Sequence, residues 1–440
     1  MPRGQYGERV TRHIHRAWWV ALVTFLVLLA SAAFRSTFGV MLVPIEDELG
    51  WSRAATSLAV SVNLVFYGLT APFAASLMER FGVRRIAVLA LTFIALGTGL
   101  TTVMTAQWQL VILWGVFVGL GVGSTALVFG ALMANRWFVA HRGLVLGIFG
   151  AAFSMGQLVF LPAIAHLVDD RGWRSASLVI AGMCLLLIPL AIAVLRDRPS
   201  DVGLRPYGAT GEPTAEELAG RTTGSGWTAA AAAIRVLMHA SRTLPFWLLA
   251  GTFFVCGWTT NGIISTHFVP AMHDHGMGAT TAASLLAIVG LCDIIGTIGS
   301  GWLTDRIDPR ILLAVYYVLR GIALLLTPLV LGPDIEPPLV LVLILFGLDW
   351  VATVPPTAVL CRRIYGTVSG TVVFGWVFAA HMIGAAVAAT ASGWIRSAQG
   401  NYSSAWWLAG ALAVAAGFAA LAIPRVTIPD PLLIPDRTNA

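Results

Sequence analysis

The chain has 440 residues, 58% of them hydrophobic and 11% charged, with 27 basic residues against 21 acidic. Soluble domains carry about 25% charged residues and disordered chains need low hydrophobicity, so both classes are excluded. Every basic residue is arginine, and the absence of lysine excludes Schiff-base chemistry and a P-loop lysine.

A bilayer core about 30 Å thick takes roughly 20 residues of helix at about 1.5 Å per residue. On that measure the apolar runs predict twelve spans: 17–43, 54–76, 86–106, 109–134, 143–168, 176–195, 244–270, 279–301, 310–331, 338–361, 366–391 and 402–424. The first run is too long for a signal-peptide core and lacks a small-residue cleavage site, so it stays with the chain. The prediction is an all-α polytopic membrane protein of two pseudo-symmetric six-helix bundles. Residues 1–16 form a cytoplasmic tail, 17–195 and 244–424 the bundles, 196–243 a cytoplasmic central loop and 425–440 a second cytoplasmic tail. Within the loop, 227–240 reads as a short helix on the inner membrane face, with Ile234, Val236 and Leu237 as its apolar residues. The cysteines at 184, 256, 292 and 361 lie in apolar runs without ligand spacing, so neither a metal nor a cofactor is expected.

Arginine placement orients the bundle. With the N-terminus inside, 21 arginines fall on inner segments, and only Arg53, Arg171, Arg174 and Arg396 fall outside. This follows the positive-inside rule and puts both termini in the cytoplasm of a cell whose inner membrane holds the chain. The basic charge is then topology, and nucleic acid is an unnecessary partner.

Each half carries one related segment. ASLMERFGVRR (Ala75 to Arg85) joins spans 2 and 3, and GWLTDRIDPR (Gly301 to Arg310) joins spans 8 and 9. An acid beside arginine at the inner ends of two helices can form interhelical charge pairs in one conformation and lose them in another. The small residue permits close helix approach. Recurrence in two six-helix halves is the layout of an alternating-access carrier.

These segments resemble the signature of the major facilitator superfamily, Gly-x-Leu-Ala-Asp-Arg-x-Gly-Arg-Arg. The second copy supplies Gly301, Leu303, Asp305, Arg306 and Arg310; the first matches at Arg80, Gly82, Arg84 and Arg85, with Ala75 for the glycine and Glu79 for the aspartate. The resemblance implies conformational gating by these residues. Four stretches are similar to the monocarboxylate-transporter-like branch, which includes oxalate/formate antiporters: Arg35 to Ala54, Asn135 to Gln157, GLRPYG after span 6, and Phe253 to Gly276. That resemblance implies organic anions, mostly carboxylates, moved with or exchanged against another ion. Two departures stand out: Asp293 matches the branch's span 8 aspartate, but Thr297 replaces the arginine one turn later, and the exchangers' lysine is absent. The Gly-Pro motif of drug/proton antiporters is also missing.

Ionisable groups at membrane depth cost about 2.5–3.5 kcal/mol on insertion scales and face cavities or partners. Arg35, nine residues before Pro44, lies about 13 Å inside the outer boundary. Its planar fork suits a carboxylate. Asp293 and Asp349 are candidate proton-coupling groups, with Arg320 as a rival structural partner for one of them. His381 titrates in the useful range. Asn63, Tyr67, Trp258 and Asn261 are candidate substrate contacts, while the glycines at 119, 121 and 123 read as a helix-packing face.

The expectation is a monomeric secondary carrier of a small organic anion, with a coupling proton or counter-anion. A carrier of neutral or cationic molecules, including efflux, is the alternative on the same fold. A membrane enzyme lacks any protease, rhomboid or acyltransferase pattern, and a transport-dead sensor lacks an output domain.

Overall fold

The computed structural model describes residues 15–428, apart from 126, 142–143, 147, 150–151, 153–155, 157–159 and 210–225. The side chains at 33–36, 71, 75–76, 79, 127–128, 226–229 and 367–368 are also outside the described residues, and these include Arg35 and Glu79. Among the described residues there is no strand, only an isolated bridge between Phe138 and Tyr207.

The first half holds α1 (Arg16–Leu49), α2 (Arg53–Phe81), α3 (Val83–Thr101), α4 (Gln107–Trp137) and α5 (Leu161–Val194). A short α6 (Gly226–Ala240) follows. The second half holds α7 (Leu244–Gly262), α8 (Ile264–Asp274), α9 (Ala279–Thr304), α10 (Pro309–Val330), α11 (Pro337–Tyr365), α12 (Thr367–Gln399) and α13 (Ser403–Leu421). Among the described residues nine helices are long and apolar enough to cross a bilayer, or ten if the pair α7 and α8, bent by 41°, is one span. Their outer surfaces are what lipid requires: Leu186 is 76% exposed, Leu329 74% and Ile298 70%.

The helix ends follow local chemistry. Gly50 and Gly400 take left-handed φ values of 67° and 76° and stop α1 and α12. Ser52 caps α2 by accepting from Ala55 N at 3.3 Å, and Asp308 caps α10 through Arg310 N at 3.1 Å. Inside α5 the expected loop between spans 5 and 6 shrinks to a single break at Gly172 (φ 78°). The expected span 10 is interrupted by a turn after Asp349, and Val354 restarts the helix.

The halves meet along α2 and α12, with further contacts of α1 on α8 and α5 on α9. Two glycines make the approach possible: a Cβ at Gly68 would sit 2.4 Å from Met382 Cβ, and one at Gly39 2.8 Å from the Ser265 carbonyl. Helix α6 lies across α2 and α12, where Trp376 Nε1 donates to the Ala233 carbonyl at 3.0 Å. Its buried face is Ala233, Val236 and Ala240, while Ile234 is 42% exposed. The helix expected on the membrane face is a clasp over both halves.

Candidate functional site

A small cavity of about 30 Å³ lies where the two halves meet, bounded by Phe38, Asn63 and Trp114 on one side and Asn261, Ser265 and Thr266 on the other. Two π-helical stretches reach it, Val111–Val118 in α4 and Trp258–Gly262 in α7. A π-turn displaces a carbonyl from the regular ladder, and such bulges gather at functional sites. Both displaced regions are answered by side chains at the cavity. Asn63 Nδ2 donates to the Trp114 carbonyl at 2.9 Å, and Thr266 Oγ1 donates to the Asn261 carbonyl at 2.9 Å.

Of the expected substrate contacts, Asn63 and Asn261 therefore come together. Arg35 stands three and four residues before the cavity-lining Phe38 and Gly39, with its side chain outside the described residues. Tyr67 and Trp258 are buried beside the cavity rather than on its wall. Tyr67 meets Phe378 edge-on at 5.9 Å, and among the described residues Trp258 Nε1 has no hydrogen-bond partner. His381 reaches the site through Asn261: its Nε2 and Asn261 Nδ2 are 3.0 Å apart, and its ring stacks on Phe378 at 5.7 Å. Among the described residues Asn261 Oδ1 has no partner.

The mid-depth charges divide into two separate arrangements. Arg320 Nε donates to Asp349 Oδ2 at 2.6 Å, and Nη2 reaches the carbonyls of Asp349 and Trp350 at 2.5 and 3.2 Å. Its Nη1 donates to Thr259 Oγ1 at 3.3 Å, so the ion pair touches the π-stretch that carries Asn261. Asp293 is held differently: Oδ1 accepts from Thr297 Oγ1 at 3.0 Å and from Val351 N at 2.9 Å. Thr297 thus uses its hydroxyl on the aspartate where the resembling branch has arginine, and the broken turn of α11 supplies a second donor.

At the end assigned outward by arginine placement, a hydrogen-bonded chain joins the halves. Arg53 Nε donates to both Glu46 oxygens at 2.8 and 2.7 Å, and Nη1 donates to the Tyr402 hydroxyl at 2.5 Å. His267 Nε2 lies 2.8 Å from the Ala389 carbonyl, so Nε2 carries the proton and Nδ1 accepts from Tyr402 at 3.1 Å. Arg396 with Asp274, and Arg174 with Glu48, lie nearby as further ion pairs. Glu46, Arg53 and Tyr402 were missed as site residues because they fall at predicted span ends, where charge reads as topology.

The opposite end holds the repeated segments. Gly82 (φ 90°) lies against Asp197, whose Oδ1 accepts from Arg84 N at 3.1 Å. A Cβ at Gly82 would stand 2.5 Å from Asp197 Oδ2, so the glycine is required by close approach of the central loop. Arg80 sits over the Phe81 ring at 5.2 Å and Arg85 is exposed. In the second copy, Arg306 covers the Trp302 ring at 4.0 Å rather than bonding Asp305. Arg310 and Arg425 instead share Asp308, both with Asp308 Oδ2, at 2.7 and 2.6 Å. Among the described residues nothing lies within 4 Å of a Cβ placed on Gly301.

This geometry, two helical halves packed around a polar midpoint with paired charges at each end, is that of a membrane transporter. The chain matches the family model of the Major Facilitator Superfamily over residues 24–374, and it belongs to that superfamily. It is 26% identical over 380 residues to an uncharacterized MFS-type transporter, YcxA, of Bacillus subtilis (strain 168), covering 86% of this chain and 87% of that one. It is 26% identical over 414 residues to monocarboxylate transporter 13 of Rattus norvegicus, covering 93% and 89% of the two chains. Among solved structures it is similar to a bacterial homolog of the human lysosomal transporter Spinster, crystallised in an inward-facing and unoccupied conformation. That match has a TM-score of 0.68 at 16% identity and covers 93% and 96% of the two chains. The family and these relatives are transporters, not enzymes.

Proposed function

We propose that this transporter moves a small organic anion, a carboxylate, across the cytoplasmic membrane by alternating access, with a coupling proton or a counter-anion. In this reading the chain crosses twelve times, keeps both termini in the cytoplasm and works as a monomer. The observation that carries it is the cavity with one amide from each half, Asn63 and Asn261. Arg35, the sequence-based candidate for the anion clamp on the same helix as Phe38 and Gly39, is assigned as the cation of the site, since a guanidinium with neutral amides is a set suited to a carboxylate. The monocarboxylate-transporter relatives support the same substrate class.

Proton coupling runs through two groups that touch the π-stretch of α7. A neutral His381 accepts from Asn261 Nδ2; a protonated ring must donate instead, and turning the amide presents Asn261 Oδ1 to it. Protonation of Asp349 neutralises the partner of Arg320, which also holds Thr259. Asp293 serves as a second coupling acid, buffered by Thr297 and Val351 N. The events at His381 and Asp349 each alter a hydrogen bond to the segment that presents Asn261 to the substrate.

Uptake of a carboxylate panel into proteoliposomes, with and without a proton gradient, tests the reading. Wild-type uptake of a carboxylate, abolished in Arg35→Ala, is expected. A carboxylate carried equally well by Arg35→Ala overturns the clamp, and flux of neutral or cationic compounds alone overturns the substrate class.

A further inference from the structure

A second, larger cavity of about 500 Å³ opens at the end of the bundle that arginine placement assigns to the cytoplasm. It lies between the α2–α3 turn, the end of α4 and the start of the central loop. Five arginines line it, Arg84, Arg85, Arg136, Arg196 and Arg198, against two aspartates. The aspartates are already engaged by the backbone. Asp197 Oδ1 accepts from Arg84 N at 3.1 Å, and Asp201 Oδ2 accepts from Arg198 N at 2.9 Å. Arg196 Nη1 is turned onto the Ile192 and Leu195 carbonyls at 3.0 and 2.7 Å, which leaves its positive charge uncompensated. Among the described residues the guanidinium groups of Arg84, Arg85 and Arg196 form no ion pair with a carboxylate.

We propose that this cavity binds a phosphate group, either the headgroup of an anionic phospholipid or free phosphate. Three unneutralised guanidinium groups around one hollow repel each other, and an anion with several acceptor oxygens relieves that repulsion. Arginine forks match phosphate oxygens two at a time, which a halide or a single hydroxyl cannot use. The position favours phosphate chemistry too, because anionic headgroups gather basic residues at the cytoplasmic face. Since the hollow is built from the α2–α3 turn and the segment after α5, an occupant ties the central loop to the first bundle. It stands apart from the transport cavity and does not depend on the substrate assigned there.

The test uses the full-length protein in nanodiscs of phosphatidylcholine. In one arm inorganic phosphate is titrated in; in the other, phosphatidylglycerol replaces about a third of the lipid. Melting temperature is read in both arms, and radiolabelled phosphate binding in the first. At least one arm is expected to raise the melting temperature by several degrees. The triple variant Arg84→Ala/Arg85→Ala/Arg196→Ala loses that rise and weakens binding at least about tenfold. Arg171→Ala, at the other end of the bundle, keeps both. A rise with phosphate in pure phosphatidylcholine assigns a soluble anion, and a rise confined to phosphatidylglycerol assigns a lipid headgroup. No rise in either arm, or a rise that the triple variant retains, overturns the proposal. Should the triple variant fail to fold, Arg85→Ala alone replaces it, because that side chain is exposed and its loss opens no core.

Discussion

Arg320 and Asp349 form an ion pair at 2.6 Å whose side chains are 0% and 7% exposed, and the guanidinium also holds the two carbonyls at the break in α11. Removing one member leaves the other charged and dry, at a cost of about 3–5 kcal/mol, whereas apolar replacement of both is often neutral. Asp349→Asn is therefore expected to lower the melting temperature sharply. Arg320→Met/Asp349→Leu is expected to recover most of the loss while transport stays absent. Thermal unfolding of the three purified proteins, beside uptake in proteoliposomes, checks this. Equal melting of single and double variants would show that the pair does not set stability.

Tyr402 is the middle link of the chain that joins the halves, accepting from Arg53 and donating to His267. Tyr402→Phe strands the buried His267 Nδ1, which costs about 1–3 kcal/mol in the conformation that makes the bond. The equilibrium moves toward states in which α2 and α13 part at that end, by about tenfold for each 1.4 kcal/mol. Ser57, buried against Gly393 of α12, reports such parting. A Ser57→Cys reporter is expected to react about tenfold faster with an impermeant thiol reagent when Tyr402→Phe is added. An unchanged labelling rate would sink the latch.

Which parts of this were legible in the sequence follows from what hydropathy measures. Depth along one axis is readable, so Arg35, Asp293, Arg320 and Asp349 stand out as charges in apolar runs. Partner choice is a tertiary property: nothing in the spacing says that Arg320 meets Asp349 while Asp293 meets Thr297 and Val351 N. Periodicity also hides the π-stretches at 111–118 and 258–262, because one extra residue per turn leaves no composition signal. The family motif drew attention to Asp305, yet the arginines converge on Asp308, three residues on, which the motif does not include and which the structure shows capping α10. The glycines at 119, 121 and 123 were readable as packing: a Cβ on Gly121 would stand 2.7 Å from the Ala90 carbonyl.

Asp308 gives a pH signature. Hydrogen bonds from the Arg310 side chain hold its carboxyl well below the ordinary aspartate range, with Arg425 adding to them against the opposing effect of burial. A depressed carboxyl contributes stability above its unfolded value, about 3.9, and loses it as pH falls from there toward the folded value. Wild-type melting temperature is expected to fall on acidification below about pH 4 more steeply than that of Asp308→Asn. Melting curves of both proteins between neutral pH and about pH 2.5 measure the difference. Parallel curves would mean that Asp308 is as weakly held when folded as when unfolded.

His381 separates binding from coupling. Its ring accepts from Asn261 and is packed between Phe253, at 4.8 Å, and Phe378, so a substitution of similar reach keeps the site while removing the imidazole. His381→Gln retains a hydrogen-bonding amide beside Asn261 but cannot take up a proton. Counterflow exchange of substrate, which needs only binding and reorientation, is expected to continue within about fivefold of wild type, since one neutral hydrogen bond is worth about 1 kcal/mol. Uphill accumulation driven by a proton gradient is expected to collapse. Loss of both activities would make His381 a packing residue of the α7–α12 interface, and retention of both would move the coupling role to Asp349 or Asp293. The two acids are then told apart by their neighbours, because Asp349→Asn disturbs Arg320 and Thr259 while Asp293→Asn disturbs Thr297 and the turn at Val351.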